Sequence, residues 1–227
     1  MSKKKEAAEK KAARKEAAKP FEMIGGHAAL DFVNSIDNRF TAEPVELLRE
    51  YEDLLRFVWQ AGLITERQLR ELKRLKMGEE ARRRVLAEAI ELREGLARVL
   101  YGRLDGVEVG KRSLLELETV FKEVAGHRRL TFLDKKGRKA AMELTWEFRN
   151  MDGDGRAPMW LLAQAANELL TSSAAERIRA CASPTCRWLF LDVSKNHSRR
   201  WCDMKICGNR NKARRFQLRQ AEGAGVE

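Results

Sequence analysis

A chain of 227 residues, with 45 lysines and arginines against 34 aspartates and glutamates, has a formal net charge of +11 and is long enough for one sizeable core plus a small accessory module. Its strongly apolar stretches, such as 159–163, fall far short of the roughly 18–20 residues that span a bilayer. Residues 1–19 hold no apolar core of the kind an export signal needs, so a soluble, reducing, cytoplasmic setting is expected.

Residues 1–19 carry eight basic and three acidic side chains; they favour helix but offer no apolar face, and read as a basic flexible arm closed by Pro20. Gly25-Gly26 breaks the chain, after which Leu30, Phe32, Val33 and Ile36 give a helical face interleaved with Asp31, Asn34 and Asp37. Pro44 marks a second helix, with an apolar period from Val45 through Trp59 to Gly62. Thr65, with Gln68 three residues on, makes a capping box for a helix over 66–77. Over 79–100, Val85, Ala89, Leu92, Leu96 and Val99 form one core-facing stripe.

Gly102, Gly106 and Gly110 are too widely spaced for a dinucleotide fingerprint and read as loop. A short helix over 113–124 follows, then a hairpin of 130–134 and 141–148 around the turn 135–138. Asp152-Gly-Asp-Gly155 lacks the further acidic ligands of a calcium loop and reads as a turn. Pro158 opens a helix through Leu170 with Trp160, Leu161, Ala165 and Leu169 facing inward. The fold class expected is mainly α with a short β-hairpin (α+β): a helical domain over 20–176, a small cysteine-bearing finger over 177–220 and a tail over 221–227.

The four cysteines of the chain stand as Cys181-x4-Cys186, fifteen residues, then Cys202-x4-Cys207. Two close pairs of soft ligands suit one tetrahedral, structural Zn²⁺; the alternatives are two disulfides or four unrelated thiols. A turn carrying the first pair, a hairpin, and a last thiolate where a helix begins describe a treble-clef-like module. Metal is needed because so short a module buries too little apolar area to order itself, and structural zinc contributes on the order of 10–16 kcal/mol. His197, in the loop between the pairs, reads as a surface residue. Residues 177–219 hold twelve basic and two acidic side chains, whereas 20–176 hold twenty-five and twenty-seven, so the zinc module is also the basic one. Its candidates for phosphate contact are Arg199, Arg200, Lys205, Arg210, Lys212, Arg214 and Arg215, with Arg210 alternatively pairing with Asp192. Trp188, Phe190 and Trp201 are either base-stacking groups or the core of the module.

The run Trp188-Leu-Phe-Leu-Asp192, Ser194-Lys-Asn, Ser198-Arg-Arg-Trp-Cys202, Met204 and Cys207-Gly-Asn-Arg210 with Lys212 resembles the CGNR zinc finger. Gly25-Gly26-His27-x-x-Leu30-Asp31-Phe32-Val33-Asn34 resembles the start of the ABATE domain that usually precedes that finger. The resemblance implies a bacterial, stress-induced transcription regulator whose first domain senses a ligand and whose finger binds DNA. His27, Asp31 and Asn34 are either the lining of a small-molecule pocket or groups bonded to backbone. No catalytic set emerges, and four thiolates leave zinc no open position for water. The expectation is therefore a non-enzyme: a DNA-binding regulator first, with an RNA-binding protein or a zinc-stapled protein-interaction adaptor as alternatives.

Overall fold

The computed structural model of the chain describes residues 20–132, 143–214 and 217. The basic arm, the hairpin turn 135–138, Arg215 and the tail lie outside the described residues. The chain divides into two compact units: residues up to Arg49 together with those from Leu169 onward, and Glu50–Glu168. The segment 20–49, which sequence reading assigns to the helical domain, thus shares a compact unit with the finger.

That segment opens with α1 (Ala28–Val33) and continues into β1 (Ile36–Asp37) and β2 (Val45–Glu46), which pair antiparallel with Ile36 opposite Glu46. The helix expected from Val45 therefore starts later. Val45 and Glu46 are held extended by their partners, and helix α2 (Tyr51–Gln60) begins only where Glu50 and Asp53 form a reciprocal capping box.

Within the helical unit, α2 is followed by α3 (Glu66–Arg74), with Thr65 and Gln68 capping as the sequence predicts. Next come α4 (Glu79–Leu104) and α5 (Lys111–Gly126). Helix α4 runs through Gly102 because the missing side chain leaves room for Val109, which a Cβ there would meet at 3.1 Å. Strands β3 (Arg128–Phe132) and β4 (Leu144–Phe148) form a hairpin, and α6 (Ala157–Leu170) follows. The core of this unit includes Leu54, Leu55, Phe57, Leu72, Leu96, Trp160 and Leu162, with Leu162 taking the inward place expected of Leu161. Tyr51 donates to the Gly155 carbonyl at 2.8 Å. Arg156 reaches Glu88 at 3.2 Å and Glu123 at 2.7 Å, tying the start of α6 to α4 and α5. Among the described residues no helix is long and apolar enough to cross a membrane.

The finger contributes β5 (Ile178–Ala180) and β6 (Leu189–Leu191), antiparallel, then a π-helical turn, Met204–Gly208, that runs on as α-helix over 209–214. Helix α1 packs on β6, and the contact is built from hydrogen bonds as well as apolar burial. The Asn34 amide accepts from Leu189 N–H at 2.8 Å and donates to Leu189 C=O at 2.9 Å, substituting for a neighbouring strand. The Leu191 N–H donates to Gly25 C=O at 2.7 Å. Leu30, Phe32 and Val33 are fully buried.

Replacing Asn34 with Ala leaves the Leu189 N–H and C=O buried without partners. Two such groups should cost about 2–4 kcal/mol. The zinc-loaded protein is expected to show a lower melting transition for the finger unit, with the zinc content at room temperature unchanged. A melt identical to that of the parent would rule out this clamp.

Candidate metal centre

Each half of the cysteine set is shaped by local backbone. Cys181 directly follows β5, its N–H donating to Trp188 C=O at 2.9 Å, and the chain turns back because Cys186 and Arg187 both donate to Ser183 C=O at 3.1 Å. Arg187 adopts a positive φ of 52° to complete that knuckle. On the other half, Asp203 caps the helix by accepting from Ile206 N–H at 2.9 Å, and Cys207 N–H donates to Asp203 C=O at 3.0 Å. The helix therefore starts at Met204, ahead of the last thiolate where the sequence places its beginning, and Cys207 sits inside its first turn.

The four sulfurs lie within 4.8 Å of one another, with Cys186 to Cys202 and Cys202 to Cys207 both at 3.6 Å. A tetrahedron with Zn–S bonds of about 2.3 Å has edges of about 3.8 Å, so the set fits one Zn²⁺ closely, and none of the cysteines is in a disulfide. His197 is exposed and outside the cluster. Trp188 and Phe190 are the apolar core around the sulfurs, with Ile24, Trp201 and the half-buried Cys186 packed against it.

Electrostatics favour a dication here. Hydrogen bonds from Cys186 and Cys202 hold the Cys181 thiol far below the usual thiol range. Donation to Cys181 pushes Cys186 and Cys202 up, while burial raises Cys207. Thiols packed this closely do not all ionise until a cation offsets the charge.

The predicted phosphate-binding residues separate into two groups. Arg199 is half-buried: its guanidinium lies 4.5 Å over the Phe190 ring and donates to Trp201 C=O at 2.9 Å and to Cys202 C=O. It braces the third ligand and is not free for phosphate. Arg200, Lys205, Arg210, Lys212 and Arg214 are exposed, and none forms an ion pair with a described residue. Arg200 lies 5.5 Å over the Trp201 ring. The alternative pairing of Arg210 with Asp192 is not formed. Asp192 is fully buried and accepts instead from Ser194 Oγ at 2.6 Å, Ser194 N–H at 2.9 Å and Arg199 N–H at 3.0 Å. The Ser194 hydroxyl, with these amides, holds its carboxyl below the usual range. That fold of the 192–199 loop was not read from the sequence, although Asp192-x-Ser194 is a recognisable Asx-type turn signal.

His27, Asp31 and Asn34 are spent on backbone rather than on lining a ligand pocket. His27 Nδ1 accepts from Ala29 N–H at 3.2 Å as the N-cap of α1. Asp31 accepts from Gly25 N–H at 2.7 Å, an approach so close that a Cβ on Gly25 would stand 2.8 Å from the carboxylate. Gly26 follows at φ +75°. Burial pushes the Asp31 carboxyl up to about 6, against the opposing pull of the Gly25 and Ile24 amides.

Two family models match the chain. The CGNR zinc finger covers residues 177–220, and the ABATE model, described as a putative stress-induced transcription regulator, covers residues 26–173. No curated protein matches.

The purified protein is expected to hold one zinc per chain by elemental analysis. Zinc uptake near pH 7 should release protons, because the cysteines bind the metal as thiolates, and calorimetry in buffers of different ionisation enthalpy measures their number. Asp31 gives a separate pH signature. Because its folded value is raised from 3.8 to about 6, its favourable contribution is full below about pH 4 and is lost as pH rises through 6. Asp31→Asn keeps the acceptor without the charge. The variant should gain stability over the parent as pH rises from 4 to 7, by up to about 2–3 kcal/mol. A gap that is independent of pH in paired thermal melts would refute the assignment.

Proposed function

The chain belongs to the ABATE family and carries a CGNR zinc finger, and from that premise we propose that it is a DNA-binding transcription regulator acting in the cytoplasm. The observation that carries the reading is the exposed set Arg200, Lys205, Arg210, Lys212 and Arg214, unpaired with any described residue, on a surface that zinc and the Asp203 cap make rigid. Cations left without internal partners neutralise phosphates and release counterions at little cost in protein interactions. A preordered helix start also loses less entropy on contact than a loose arm does.

The chain acts by binding and not by catalysis in this reading, since four thiolates close the metal and leave no site for an activated water. The helical unit supplies the regulatory input. A groove of about 710 Å³ between α4 and α5, floored by Leu92, Leu117, Val120 and Met159, supports a ligand-responsive role for it.

Titrating duplex DNA and single-stranded RNA at several salt concentrations tests the proposal. Affinity for the duplex should fall steeply with salt, and Arg210→Gln with Arg214→Gln should weaken binding and flatten the slope by up to about 2. Arg199→Gln should instead destabilise the finger and leave the slope unchanged in the fraction that stays folded. Tighter binding of RNA than of any duplex would move the reading to an RNA-binding protein. Indifference of both nucleic acids to the double replacement would move it to a protein-interaction adaptor.

A further inference from the structure

Leu130 pairs with Trp146, and Phe132 with Leu144, across the β3–β4 ladder. The two-residue alternation of strands puts these four on one face, together with Arg128 and Phe148. The base of that face is anchored: Phe148 stacks on Trp160 at 5.9 Å, His127 stacks on it at 4.1 Å, and Arg128 lies over both Trp146 and Phe148. Beyond the base the apolar side chains stand in water, Leu130 exposed at 52%, Phe132 at 62%, Leu144 at 50% and Trp146 at 55%. The opposite face holds Arg129, Thr131, Thr145 and Glu147, with Arg129 and Glu147 paired at 3.8 Å. The hairpin therefore has a polar side and an apolar side, and the apolar side is uncovered.

We infer that this face is a homodimer interface, two copies of the chain packing their hairpins face to face about a twofold axis. A second copy fits for three reasons. First, the surface is self-complementary: among the described residues the charge on this face, Arg128, is already held over aromatic rings, so an isologous contact brings apolar groups together without stranding that ion. Second, the exposures amount to on the order of 400 Å² of apolar surface per copy, a size that is ordinarily functional on a monomer. Two faces together remove about 800 Å², enough for the dry core of a standard interface of roughly 1,600 Å². Third, and resting on the proposed function, a single small DNA-reading module covers a short site, and a twofold dimer binds two such half-sites at once.

Sedimentation of the full, zinc-loaded chain without nucleic acid tests the inference, over a range from about 1 to about 100 µM because the assembly is concentration-dependent. The expected mass is twice the 26.1 kDa of one chain. Phe132→Glu with Trp146→Glu should return it to one chain with zinc content and circular dichroism unchanged, while Arg129→Glu on the opposite face should leave the dimer intact. Hydrogen exchange on the unmutated chain gives an independent reading: amides of β3 and β4 should gain protection as concentration rises. A parent protein monomeric throughout the range, or a dimer that survives the double replacement, overturns the inference. Because the mass is measured without nucleic acid, failure here is distinct from failure of the DNA-binding reading, which the salt titration decides.

Discussion

Four sulfurs confined within 4.8 Å of one another are the constraint on which the finger depends. Thiols packed so closely cannot all ionise alone, and thiolates so close repel. A dication removes the conflict and links the knuckle after β5 to the first turn of the C-terminal helix. The apolar core around them is small, centred on Trp188 and Phe190, which is why metal supplies what burial cannot. Arg199 then braces the backbone of the third ligand, and Asp192 gathers the loop that presents it. The basic residues of this module thus divide between those that hold the site together and those that remain in solvent.

The finger also rests on a surface from a distant part of the sequence. Asn34, Asp31, Gly25 and Gly26 turn a short segment into a support for β6, and each residue of the motif has a physical duty. Gly25 allows close approach, Gly26 a positive φ, His27 a cap, Asp31 a clamp on the loop, and Asn34 a substitute for a strand. Read in one dimension, the cluster of His, Asp and Asn has the composition of a binding pocket; in three dimensions its polar atoms face the backbone.

The parts legible in the sequence are those set by short-range rules. The cysteine spacing identifies the ligands, Thr65 and Gln68 fix one helix start, and of the stripe Val85, Ala89, Leu92, Leu96 and Val99 all but the half-buried Val99 are buried as the period implies. The parts that were not legible depend on long-range contacts. Nothing near Val45 signals that it will pair with Asp37 instead of starting a helix, and nothing near Asn34 names Leu189, 155 residues away. Arg199 and Arg210 look equivalent in sequence because a guanidinium's duty depends on whether aromatic rings and carbonyls fold around it.

The pairing of Asn34 with Leu189 has a consequence for biosynthesis. At about 5–20 residues per second, a ribosome takes roughly ten to thirty seconds to travel from one to the other. During that interval Leu30, Phe32 and Val33 have emerged and their partner strand has not been made. The helical unit between them can fold meanwhile from nearby contacts, which form quickly. The nascent N-terminal segment must wait, its apolar side open to chaperones, until the finger arrives and takes up zinc. Metal supply therefore sets the moment at which the earliest-made part of the described chain becomes safe from aggregation.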